Sequence, residues 1–161
     1  MLNTRRKFLL AQLYQELSIQ DTAYSIYSEI IDLHRKIPRD FYINSYIKRT
    51  MVSDSIDNSI AELQLLTENF ENNNYLDIIF HQIAMLNLKK GELLDDDKSG
   101  FTMTDSTAIN FFNKSLRSDS EEEFLIAKNY NELAELNFRK KNYLEAGQYY
   151  DSTLTQLGKK S

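Results

Sequence analysis

The 161-residue sequence has no cysteine and no tryptophan, one proline and four glycines. Without cysteine it forms no disulfide, uses no thiol nucleophile and holds no zinc through thiolates; the redox compartment stays open, since cytosolic and exported proteins alike can lack the residue. Proline and glycine punctuate turns and strand ends, so their scarcity predicts a mostly helical chain. Positive charge is not in surplus either: 19 Lys and Arg stand against 24 Asp and Glu, a net charge of −5. That balance withholds the basic surface on which nucleic-acid affinity depends. Long apolar runs are missing as well. The longest near the start is Phe8-Leu9-Leu10-Ala11, far short of a signal-peptide core or the roughly 20 residues of a membrane span. Arg5-Arg6-Lys7 has the charge of a leader, but Gln12, Gln15 and Glu16 follow it closely and fit a soluble helix better. No nucleophile with a base partner, glycine-rich phosphate loop or acid pair can be picked out. The expectation is a non-catalytic protein without a cofactor, whose partners are proteins and not nucleic acid, and which does not itself insert into a membrane.

With 42% apolar and 27% charged residues, the chain suits one folded domain or a short repeat array. Self-comparison favours the array. An alanine, a second alanine twelve residues on and an aromatic four beyond recur as Ala11, Ala23, Tyr27 and as Ala134, Ala146, Tyr150. Ala84, Ala108 and Phe112 form a third copy in which the alanines are 24 apart, so twelve residues, near Glu92 to Met103, have entered between its halves. A large aliphatic residue precedes each first alanine (Leu10, Ile83, Leu133), and Ala23, Ile26, Tyr27, Ile30 and Ile31 recur at helical spacing. Each copy therefore predicts a helical hairpin, its small residues letting two backbones approach while the aromatic fills the gap between neighbours. Residues 40 to 70 supply a degenerate further unit with Ile47 near the first small position and Ser59 at the second.

This pattern resembles the tetratricopeptide repeat, a helix-turn-helix of about 34 residues with small, small and aromatic positions at this spacing. The resemblance covers nearly the whole chain and implies an all-α, right-handed superhelix of about four hairpins in a single domain, residues 1–161. The hairpins would occupy about 4–38, 39–73, 74–120 with an inserted loop near 92–105, and 121–157. Two departures are plain: Lys7, Phe80 and Tyr130 stand where the repeat usually has Trp, and of the usual prolines only Pro38 survives. Three stretches further resemble the SprE/PorW-type lipoproteins of the Bacteroidetes type IX secretion and gliding machinery: residues 6–17 (Arg-Lys-Phe-Leu-Leu-Ala-Gln-Leu-Tyr-Gln-Glu-Leu), 75–84 (Tyr-Leu-Asp-Ile-Ile-Phe-His-Gln-Ile-Ala) and 143–153 (Tyr-Leu-Glu-Ala-Gly-Gln-Tyr-Tyr-Asp-Ser-Thr). That resemblance implies a periplasmic scaffold, anchored to the outer membrane in the parent protein, that contacts translocon components. It also implies that this chain is an internal fragment with Met1 as an added start. Two other functions compete: a cytosolic repeat domain of a bacterial signalling regulator, and a helical-repeat binder of a glycan or other small molecule, for which a deep aromatic pocket would speak.

Stacked hairpins present a concave surface lined by the first helix of each repeat. The repeat pattern projects Phe8, Gln12, Asn44, Lys48, His81, Met85, Asn131, Glu135 and Phe138 near it, aromatics and Met among amides, as suits protein recognition. Phe8, Met85 and Phe138 would serve equally as packing residues. The carboxylate clamp of chaperone adaptors uses Lys and Asn one turn apart where this chain has Phe8 and Gln12, and cations where it has His81 and Met85, so a chaperone-tail receptor is not expected. In the insertion, Asp95, Asp96, Asp97, Phe101 and Met103 form a candidate contact loop. Asp95, Asp97, Ser99 and Gly100 fit the first half of a calcium loop, but Ser106 stands where the bidentate Glu belongs. His34 and His81, without Cys nearby, do not make a zinc site. Glu121-Glu122-Glu123 is expected to precede or open the last hairpin's first helix, with Ser118, Asp119 or Ser120 as its cap.

Overall fold

A computed structural model describes residues 2–94 and 100–158. The described residues form eight α-helices and two short 3-10 turns, with no strand among them. The helices are α1 (Leu2–Glu16), α2 (Gln20–Asp32), α3 (Arg39–Met51), α4 (Ile56–Thr67), α5 (Leu76–Leu94), α6 (Met103–Leu116), α7 (Glu123–Arg139) and α8 (Tyr143–Gly158). None is long and apolar enough to cross a membrane. The chain divides into two compact units, Met1–Leu63 and Gln64–Ser161.

In the first unit α1 packs along α2, and α3 packs on both. Ala11, Ala23, Tyr27 and Val52 form the core, flanked by Phe8, Tyr14 and Ile26. The two alanines have no exposed surface, as close helix packing requires. α3 makes no comparably close approach to α4, and it carries buried Ile47 where the other hairpins have a first alanine. A branched side chain there holds the neighbouring backbone off; a long-reach ion pair, Arg49 Nη2 to Glu62 Oε2 at 2.7 Å, links the two helices instead.

In the second unit α5 packs along α6, α7 along α8, and α6 against α7. Ala84, Ala108, Phe112, Ala134 and Ala146 are all buried. The insertion is smaller as a loop than the sequence suggests. Measured from the small residues, five of its twelve extra residues lengthen α5 and two lengthen α6. Met103 is thus not a loop residue: it opens α6, behind a reciprocal cap in which Thr102 Oγ1 accepts from Asp105 N at 3.2 Å and Asp105 Oδ2 accepts from Thr102 N at 2.8 Å. Gly91, on the added length of α5, sits so close to α6 that a Cβ there would collide with Thr104 Oγ1. Phe101 is half-buried with Lys140 Nζ 5.4 Å from its ring centre. Asp95, Asp96, Asp97 and Ser99, the contact-loop and calcium candidates, lie outside the described residues.

The first and last hairpins close with the same turn. Leu17, Ser18 and Ile19 N–H groups bond to Leu13, Gln15 and Tyr14 carbonyls, and Lys140, Lys141 and Asn142 repeat the pattern on Leu136, Phe138 and Asn137. The middle residue is left-handed in both, Ser18 at φ 59° and Lys141 at φ 64°. This is the helix-ending turn that usually takes glycine, so its absence of glycine hid it from the sequence pattern. The expected caps of α7 also differ: Glu122 holds the N-cap position, Ser118 Oγ bonds back to Lys114 O in α6, and Ser120 Oγ accepts from Glu122 N at 3.2 Å. The helix begins late enough that these side chains belong to the turn before it.

Candidate functional site

In the second unit one polar chain joins α5, α6 and α7. His81 Nδ1 on α5 donates to Asn129 Oδ1 on α7 at 2.8 Å. Asn129 Nδ2 donates to Ser115 Oγ on α6 at 2.8 Å, and Ser115 Oγ donates to Asp77 O at 2.7 Å. The histidine expected on the concave surface is therefore committed to these bonds. Burial holds its pKa below the ordinary 6.5; Lys128 adds to this, while the Asn129 bond and Asp77 oppose it. Its imidazole is neutral at pH 7 and donates from Nδ1.

Met85 follows one turn along α5 and is half-buried. Beyond it, Leu88, Gly91 and Glu92 of α5, Thr102 and Asp105 at the start of α6, and Glu132 and Arg139 of α7 line a cavity of about 300 Å³. Asp105, buried at 3% exposure, pairs with Arg139 Nη2 at 3.0 Å through Oδ1 while its Oδ2 serves the α6 cap. Glu132 has its pKa raised by burial first, then by the neighbouring Glu135 and Glu92 carboxylates, against the pull of Arg139. Among the lining residues, three carboxylates face a single guanidinium, so a cationic group entering the cavity would relieve repulsion that Glu132 now feels.

The other residues expected on the concave surface are not gathered with these. On α7, Asn131, Glu135 and Phe138 are not among the residues that line the cavity, and Glu135 accepts a hydrogen bond from Tyr150 of α8, which raises the Tyr150 pKa. Phe138, 54% exposed, meets Tyr143 edge to face at 5.3 Å. Phe124, 56% exposed, extends the same stripe with Lys128 Nζ 4.5 Å from its ring centre. The positions 124, 131 and 138 are seven apart, a spacing that marks one helix face and could have revealed Phe124. The same spacing relates Glu132 to Arg139.

In the first unit Phe8 is a packing residue: its ring meets Tyr27 at 5.8 Å and Phe41 at 5.7 Å, both edge to face. Gln12 and Lys48 are half-buried, and Asn44 Nδ2 turns onto its own helix, donating to Asp40 O at 2.8 Å. Tyr27 donates to Gln15 Oε1 at 3.0 Å, and burial together with Glu16 pushes its pKa up to about 12. His34, in a 3-10 turn, packs edge to face on Tyr42 at 5.2 Å.

The chain matches no family model and no curated protein. Among the described residues, no group of three or more His, Asp or Glu side chains is placed to hold a metal ion.

Proposed function

We propose that this chain is a non-catalytic protein-interaction module, a right-handed superhelix of tetratricopeptide-like hairpins, and that its α5/α6/α7 cavity seats an extended segment of a partner protein. The observation that carries this is the cavity lined by α5, α6 and α7, with Leu88 beside carboxylates at Glu92, Asp105 and Glu132 and half-buried Met85 one turn before it on α5. Such a lining favours a partner segment that places Lys or Arg there after an apolar residue. The buried alanines at equivalent positions and the shared left-handed turn of the first and last hairpins support the repeat architecture. The resemblance to the SprE/PorW-type lipoproteins supports a place in the periplasm as part of a type IX secretion or gliding scaffold, with outer-membrane translocon proteins as partners.

The test is affinity capture from a Bacteroidetes cell-envelope extract, using the full chain and a Met85→Arg, Glu132→Arg variant of equal helicity as baits. Recovery of translocon proteins by the first and not the second is the expected result. Capture of the same proteins by both baits would remove the cavity from the proposal, and capture of cytosolic proteins alone would remove the envelope.

A further inference from the structure

One face of α1 is exposed and yet apolar, where a helix face in water is usually polar. Leu9, Leu13 and Leu17, four residues apart and so on one face, are 55%, 55% and 60% exposed, and Leu10 beside them is 44% exposed. The internal repeat shows what such positions do elsewhere. Leu10 and Leu13 stand one before and two after Ala11, as Leu133 and Leu136 stand around Ala134, and those two leucines are fully buried. The α1 face therefore carries the pattern that α7 buries against its neighbours, here exposed.

Its charges say which helix would fit. Arg6 precedes Leu9 by three residues and Glu16 follows Leu13 by three, so both flank the leucine stripe, and both are exposed. About the level of Ala11 the arrangement is self-complementary: Leu9 and Leu13 lie two residues to either side, Arg6 and Glu16 five to either side. A second α1 running antiparallel places leucine against leucine and arginine against glutamate twice over, by the two-fold symmetry of such a contact. A parallel pair would instead crowd Arg5, Arg6 and Lys7 of both copies at one end.

We propose that α1 is a self-association face on which two copies of this chain pair antiparallel, with Leu9 and Leu13 at the centre and Arg6 of each copy against Glu16 of the other. Sedimentation equilibrium of the full chain tests it, with helicity measured by circular dichroism to show that each variant is folded. A concentration-dependent dimer is expected, with Leu13→Glu monomeric and Arg6→Glu weakened about tenfold at low salt, because two attractive pairs become repulsive. Arg6→Glu combined with Glu16→Arg restores the wild-type affinity. A wild-type chain that stays monomeric at several hundred micromolar overturns the proposal, as does a dimer that survives Leu13→Glu. Failure of the double charge swap to rescue overturns the antiparallel pairing.

Discussion

His81 Nδ1 and Asn129 Oδ1 lie 2.8 Å apart, and the direction of that bond is set by the next one. Asn129 uses its amide N–H on Ser115 Oγ, so its carbonyl oxygen faces the imidazole and the ring must donate. Three helices are tied by side chains that are each satisfied only if the others stay in place.

Replacing Asn129 with Ala removes the middle of this chain, leaving His81 Nδ1 without its acceptor and Ser115 Oγ without its donor, though still bonded to Asp77 O. The expected cost is about 1–3 kcal/mol, the penalty for buried polar groups left unsatisfied. Urea denaturation of the variant should show a lower midpoint at unchanged slope.

The histidine makes stability depend on pH. Its folded pKa is lowered from 6.5, chiefly by burial, so as pH falls through about 6.5 the unfolded chain takes up the proton first. Its contribution is full above that value and declines as pH drops toward the depressed folded pKa. Between pH 7 and 5.5 the urea midpoint of the wild type should fall more steeply than that of His81→Gln; equal slopes would show that His81 titrates alike in both states.

Lys141 occupies a left-handed position at φ 64°, a conformation that costs residues with a Cβ roughly 1–2 kcal/mol. Lys141→Gly should therefore raise the stability, by up to about 1 kcal/mol once the greater freedom of glycine in the unfolded chain is offset. Lys141→Ala, which removes the charge but keeps the Cβ, should not. Thermal melts of the two variants separate backbone from charge.

At Gly91 and Ala134 the prediction runs the other way. Any Cβ at Gly91 meets Thr104 Oγ1, whose bond to Thr102 Oγ1 at 2.7 Å must then break, and a larger side chain at fully buried Ala134 forces α7 from α8. Gly91→Val and Ala134→Leu should each cost about 1–3 kcal/mol by overpacking. Leu144→Ala, at an exposed position on α8, serves as the control and should change the melting temperature little.

How far the sequence reaches can be seen at particular residues. Ala11, Ala23, Ala84, Ala108, Ala134 and Ala146 are buried where their spacing placed them, because a small residue between helices is demanded by backbone distance and that demand repeats with the repeat. Helix ends were less legible. Thr102 caps α6 with Asp105, a pairing of short-range sequence character that lay hidden inside what read as an acidic loop, and the left-handed turns at Ser18 and Lys141 carry no glycine to announce them.

Composition and periodicity alone determined that the described residues are helical and that the recurring alanines are buried, since both follow from local geometry and the hydrophobic effect acting on each helix face. The tertiary structure decided which polar side chains meet. Asp105 on α6 lies 27 residues from Glu132 and 34 from Arg139, both on α7, and His81 finds Asn129 across 48 residues. Such pairs leave no mark on either segment, because a hydrogen bond needs only complementary groups at the right distance and the packing of the helices alone supplies that distance.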